Sequence, residues 1–188
     1  MTDPNHPDPE RRGFLRDLTR PFKAARNLRG APRGAPRRPP LARPPWALPE
    51  KRFLATCERC HACVEACPRD AIIPAVAAMP GGEGFPVVLP NRTACDLCGE
   101  CAIACPSGAI EKGKEPREAT LGTAKVLTDR CVLGKGETCS ACLDACPFPG
   151  EAIVIEAGFF PHVKRDVCVG CGLCVMPCPG QAIHVAPR

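Results

Sequence analysis

Sixteen cysteines set the chemistry this chain can do. Twelve of them fall in three copies of one spacing, C-x2-C-x2-C-x3-C-P. These are Cys57, Cys60, Cys63 and Cys67 before Pro68; Cys95, Cys98, Cys101 and Cys105 before Pro106; and Cys168, Cys171, Cys174 and Cys178 before Pro179. The other four form a stretched version, Cys131-x7-Cys139-x2-Cys142-x3-Cys146, again followed by a proline, Pro147. Four thiolates can wrap a cube of iron and sulfide. In this spacing three sulfurs of one unit converge on a cube through short turns, while the fourth serves the other cluster of a pair. Proline after the last cysteine has no N–H and a fixed φ, which suits the end of a short helix. Small residues between the ligands (Ala62, Gly99, Ala102, Gly170, Gly172) let backbone N–H groups approach the sulfurs, and such contacts tune potential.

Crossing the fourth ligand within each pair of units predicts four [4Fe–4S] clusters that use every cysteine. The first takes Cys57, Cys60, Cys63 and Cys105, and the second Cys95, Cys98, Cys101 and Cys67. The third takes Cys131, Cys139, Cys142 and Cys178, and the fourth Cys168, Cys171, Cys174 and Cys146. Structural zinc is the competing reading. Zinc favours two C-x2-4-C arms separated by a longer loop, not tandem triplets with a trailing Cys-Pro. Disulfides would require an oxidising compartment. The x7 gap after Cys131 puts a flexible loop beside the third cluster.

The elements that must position these ligands follow from the repeat. Each unit runs into Ala-Ile: Ala71-Ile72, Ala109-Ile110, Ala152-Ile153 and Ala182-Ile183. Gly84-Phe85-Pro86 lies between the first two units, and Gly158-Phe159-Phe160-Pro161 between the last two. The chain is therefore a pair of pairs. The predicted class is α+β: two tandem bacterial two-cluster ferredoxin-like modules, 51–111 and 124–188, joined by a polar linker, 112–123. Expected strands are Val87–Leu89, Lys125–Leu127, Ile153–Ile155 and His162–Lys164, with short helices over the C-x3-C-P pieces. Residues 1–50 carry 11 prolines and a net charge of +6 and read as an extended basic arm. Within it Phe14, Leu15, Leu18 and Phe22 allow a short helix over 12–28, limited by Pro21. Trp46 would anchor the arm on the first module.

With 188 residues and only 8 aromatics, the chain cannot build a large organic core, so the clusters are expected to serve as the core. Residues 51–188 carry a net charge of −1, which four clusters at about −2 each would take to roughly −9. An acidic body and an arm without interleaved aromatics fit nucleic acid poorly. No run approaches the roughly 18 apolar residues of a membrane span. Arg11-Arg12-Gly13-Phe14-Leu15 resembles a twin-arginine motif, but the residues after it are not apolar, so no export is expected and the thiols are expected to stay reduced in the cytoplasm. No phosphate loop, nucleophile elbow or paired acids are present, so no catalytic residue and no enzyme activity is predicted. His61 reads as a neighbour of the ligands rather than a ligand, and His6, His162 and His184 lack metal-like partners.

The Arg11-Arg12-Gly13-Phe14-Leu15 start, Arg43-Pro44-Pro45-Trp46, Phe53-Leu54-x-x-Cys57 and the stretched third unit together resemble a known family over nearly the whole chain. This is the ferredoxin-type NapF family of bacterial periplasmic nitrate reductase systems. The resemblance implies a cytoplasmic accessory protein that acts on the immature catalytic subunit of that reductase before export, in its iron–sulfur maturation. Four clusters in one chain also suit an electron carrier with a redox partner protein, or a subunit wired into a larger oxidoreductase.

Overall fold

The structure is a computed structural model and describes residues 41–79, 82–156 and 160–188. The possible helix over 12–28, the twin-arginine-like segment and His6 lie outside the described residues. The described residues belong to one compact unit.

Short elements alternate with cysteine loops. Helix α1 (Glu50–Thr56) starts after Pro49 with Glu50 in its first turn, where a negative charge suits the helix dipole, and it buries Phe53 completely. The C-x3-C pieces give one-turn helices in three units: α2 (Ala62–Glu65), α3 (Glu100–Ile103) and α4 (Ala141–Asp144). The fourth, Cys174–Cys178, is only a turn. It alone has a proline inside, Pro177, which removes a backbone donor.

Among the described residues three two-stranded antiparallel sheets complete the fold. β1 (Ile72–Pro74) pairs with β2 (Pro86–Val88), with Ile72 opposite Val88. β4 (Ile153–Val154) pairs with β5 (His162–Val163). β3 (Thr123–Val126) pairs with β6 (Ile183–Ala186), with Ala124 opposite Val185. The four expected strands are present with ends shifted by one or two residues. β1, β6 and α1 were not foreseen. β1 and β6 begin in the repeated Ala-Ile, where a run of two to four residues is too short to show period-two alternation.

Residues 42–48, expected as the end of the arm, pack against the first module. Ala42 bridges to Val88 and Ala47 to Ile110. The Leu48 N–H donates to the Ala109 carbonyl at 3.0 Å, and the Glu111 N–H to the Trp46 carbonyl at 2.9 Å. In the first module this segment does for Ala109-Ile110 what β3 does for β6 in the second. Ala42, Trp46 and Leu48 are buried in consequence. Trp46 is an anchor, as expected: its ring is in the core and its indole N–H donates to the Glu115 carbonyl at 2.9 Å. Its partner lies in the segment expected to be a polar linker. That segment is exposed through its 3-10 turn (Pro116–Glu118), but Ala119 and Leu121 are buried, and the Leu121 N–H donates to the Val169 carbonyl at 3.0 Å. Its second half thus belongs to the core of the second module.

Candidate metal centres

Backbone geometry around the ligands explains the repeated spacing. In the three regular units the residues on either side of the central cysteine both take positive φ: Arg59 and His61 around Cys60, Leu97 and Gly99 around Cys98, Gly170 and Gly172 around Cys171. Alternating the chain's hand in this way turns successive N–H groups toward one concave side, the kind of backbone nest that holds anionic groups. Glycine adopts this conformation without strain; Arg59, His61 and Leu97 hold it at some cost. The stretched unit departs from the pattern. A 3-10 turn (Val132–Lys135) follows Cys131 and ends at Gly136, and Ser140, after Cys139, has φ −125°.

The fold gathers the thiols in fours. Cys57, Cys60, Cys63 and Cys105 line one cavity with Phe53, Pro86 and Ile110, about 310 Å³ of space including its mouth. Cys131, Cys139, Cys142 and Cys178 line another of about 340 Å³ beside Val126 and Ile183. Cys146, Cys168, Cys171 and Cys174 line a third of about 320 Å³ beside Phe148, Ala124 and Val185. Cys67 lies within electrostatic reach of Cys95, Cys98 and Cys101. All sixteen cysteines are free. Among the described residues no three His, Cys, Asp or Glu side chains converge as a single metal ion would require. The sulfurs of the first, third and fourth sets stand around cavities instead, as a polynuclear group requires.

Electrostatics point the same way. Burial, then crowding by neighbouring sulfurs, pushes the Cys63 thiol up to about 11 and Cys101 and Cys174 to about 12. Burial likewise lifts Cys95 to about 12 and Cys142 and Cys171 to about 11. Grouped buried thiolates without counter-charge are costly, and iron supplies that charge. Backbone donors are already placed for anionic sulfur. The Ala71 N–H reaches Cys67 Sγ at 3.4 Å and the Ala182 N–H reaches Cys178 Sγ at 3.2 Å. The Leu97 N–H reaches Cys95 Sγ and the Ala124 N–H reaches Cys168 Sγ, both at 3.4 Å. At Cys105 burial raises the thiol, but the backbone donors of Ile110, Ala109 and Gly108 and the Ser107 hydroxyl outweigh it, and the net shift is downward. The Ala-Ile repeat now has a physical reason. In the first and last units the alanine N–H caps the sulfur of the preceding cysteine, and in all four units the isoleucine fills the core.

Sequence reasoning missed several neighbours of these sets. Arg43 stacks its guanidinium 4.9 Å from the Phe53 ring centre, pairs with Glu50 at 2.7 Å and draws the Cys57 thiol down against the larger upward push of burial. Arg117 lies 4.5 Å over Phe148 and pairs with Glu151 at 2.9 Å. Arg43 was legible only as part of the Arg-Pro-Pro-Trp block, and Arg117 only as a charge. His61 lines the first cavity beside Cys60, with its Nε2 2.9 Å from the Gly84 carbonyl oxygen. His162 is exposed, and His184 has a buried Nδ1 with no partner. No helix among the described residues is long and apolar enough to cross a membrane.

Comparison with known proteins agrees with this geometry. The 4Fe-4S dicluster domain family matches residues 94–149, and the 4Fe-4S binding domain family matches 54–73 and 161–184. The sixteen cysteines in four cluster-binding motifs fit four [4Fe–4S] clusters on α+β ferredoxin-like modules. The methylamine utilization ferredoxin-type protein MauM of Methylorubrum extorquens is 41% identical over 159 residues, covering 78% of this chain and 72% of its own. The ferredoxin-type protein NapG of Escherichia coli is 35% identical over 96% of this chain and 87% of its own. NapF of Escherichia coli is 32% identical over 75% and 82%. The expected NapF resemblance is thus real, but the MauM and NapG matches are more identical. With identity above 30% across most of both chains, and with all four cysteine units in place, this chain is a member of the MauM, NapG and NapF type family of ferredoxins.

Proposed function

We propose that this protein is a polyferredoxin that keeps its four clusters and carries electrons between redox partner proteins, one electron per cluster. Burial of the ligands carries this reading. Cys95, Cys101, Cys168, Cys171 and Cys174 are each less than a tenth exposed and belong to the same packed core as Trp46, Phe53 and Ile110. Handing over a cluster from such a site would mean opening the fold. Electrons need no opening.

In this reading the clusters supply one-electron chemistry, and the protein supplies the rest. We assign Cys57, Cys60, Cys63 and Cys105 to the first site and Cys95, Cys98, Cys101 and Cys67 to the second. Cys131, Cys139, Cys142 and Cys178 form the third, and Cys168, Cys171, Cys174 and Cys146 the fourth. The N–H groups of Ala71, Leu97, Ala124 and Ala182 stabilise charge on the sulfurs, and the apolar walls exclude water, both of which set potential. We place the protein in the cytoplasm, where free thiols persist. The segments are a basic arm, two two-cluster modules near 51–111 and 124–188, and a connection that helps to build both.

A second reading is favoured by the NapF match: maturation of the periplasmic nitrate reductase catalytic subunit by iron–sulfur loading before export. One experiment separates the two. The anaerobically reconstituted chain is mixed with the cluster-free reductase subunit, and iron is counted in both after separation. Retained clusters that reduce and reoxidise reversibly support the carrier. Iron found in the reductase subunit at the expense of this chain overturns it in favour of maturation.

A further inference from the structure

Cys95 opens the second unit and Cys171 is the central cysteine of the fourth. They belong to different modules, yet the Cys95 N–H donates to the Cys171 carbonyl oxygen at 2.8 Å. We propose that the four sites form a single row in the order first, second, fourth, third, and that this contact between Cys95 and Cys171 is the joint through which the two modules exchange electrons. The proposal rests on the polyferredoxin reading and adds the order of the sites, which the chain order does not give.

The joint is short in bonds. From one sulfur to the other, the path runs through the Cys95 side chain and backbone N–H, one hydrogen bond, and the Cys171 carbonyl and side chain. The chain around it is shaped to permit this approach. A Cβ at Gly172 would collide with the Pro90 carbonyl, and one at Gly170 with the Gly122 backbone, so the fourth unit's loop meets the first module and the linker through bare backbone. Asn91, four residues before Cys95, holds Val185 on both its backbone groups.

Within each module the neighbours are also fixed. In the first module Cys63 of the first site lies on α2 and Cys67 of the second just past its end, and in the second module Cys142 of the third site lies on α4 and Cys146 of the fourth just past its end. The second and fourth sites are therefore inner sites, and the first and third are the ends. Cys168, Cys171 and Cys174 of the fourth site are all buried, while Cys60 of the first and Cys98 of the second are exposed. Exchange across the joint moves one electron, oxidising the cluster on one side and reducing its neighbour on the other, and needs no other reactant. An electron taken up at one end crosses both modules before it leaves.

Magnetic coupling between reduced clusters reads this order without any activity assay. Two full-length variants are reconstituted, counted for iron, reduced with dithionite and examined by electron paramagnetic resonance. Cys60→Ala with Cys139→Ala leaves the second and fourth sites. Cys98→Ala with Cys174→Ala leaves the first and third. The inner pair is expected to give a broad, split spectrum of interacting spins, and the outer pair two superimposed simple signals. An uncoupled inner pair, or stronger coupling in the outer pair, overturns the row. Where an alanine pair fails to load, Cys57→Ala with Cys142→Ala, or Cys101→Ala with Cys168→Ala, removes a ligand from the same two sites and is read in the same way. Iron in the wild-type chain separates the two claims. Fewer than four clusters sinks the polyferredoxin reading itself, whereas four clusters with misplaced coupling sinks only the row.

Discussion

The side chain of Asn91 grips the backbone of Val185 twice. Its Nδ2 donates to the Val185 carbonyl oxygen at 2.9 Å, and its Oδ1 accepts the Val185 N–H at 2.6 Å. Asn91 lies between the first two cysteine units, while Val185 lies in β6, the last strand of the second module. One amide thus plays the part of a neighbouring strand. Asn91→Leu keeps the volume but leaves both Val185 groups without that partner. A loss of about 1–3 kcal/mol is expected from unsatisfied backbone groups. Chemical denaturation of the loaded protein measures it, with faster amide exchange at Val185 as the local signature.

Trp46 ties the segment before α1 to the connection between modules, through a buried ring and an N–H bond to Glu115. Trp46→Ala is expected to destabilise the loaded chain by about 3–5 kcal/mol, the usual range for deleting a buried aromatic. Trp46→Phe should recover most of that, because it restores the ring and loses only one hydrogen bond. If the alanine variant melts like the parent, the buried anchor contributes nothing.

Gly172 has φ +83° and backs onto the Pro90 carbonyl. Gly172→Ala faces both a left-handed conformation and a collision with rigid backbone. More than about 1 kcal/mol of stability should be lost, beyond the left-handed penalty alone. Gly113 also has positive φ (+72°) but stands in open space, so Gly113→Ala is the control and should cost only that penalty. Equal losses would show that the close approach is unimportant.

Crossed ligation makes a sharp spectroscopic prediction. Cys57→Ser and Cys105→Ser should alter the same cluster signal, and Cys67→Ser the signal shared with Cys95. Resonance spectra and iron content of the three variants decide it. A common defect in Cys57→Ser and Cys67→Ser would mean that each unit supplies its own fourth ligand.

Removing iron should remove the fold. The core contains the ligands themselves, Cys63, Cys101, Cys142 and Cys174 among them. Chelation under reducing, anaerobic conditions is expected to abolish the cluster absorbance and most slow amide exchange together, as for other small metal-built domains. Retention of protected amides after complete iron loss would show that the organic core suffices.

The first half of the Arg43-Pro44-Pro45-Trp46 block shows the limits of reading along the chain. In sequence it belongs to a proline-rich basic arm; in the structure Arg43 donates to the Pro86 carbonyl and the preceding Ala42 pairs with Val88. Composition describes what a segment could do alone. It is silent about a surface supplied by residues 40 or more positions away. The end of the segment expected as a polar linker shows the same limit, because Leu121 pairs with Val169 of the fourth unit.

What the sequence determined by itself is the local chemistry. Cysteine spacing, the following proline and the Ala-Ile run are all contained within a dozen residues, so their geometry is set by short turns, and the positive φ values at Gly99, Gly170 and Gly172 follow from glycine's freedom. What only the tertiary structure decided is how the two modules meet. Cys95 reaches Cys171, and Leu121 reaches Val169, through backbone N–H and carbonyl groups. Every residue type but proline carries both groups, so side-chain identity cannot announce which of them will pair across a long separation.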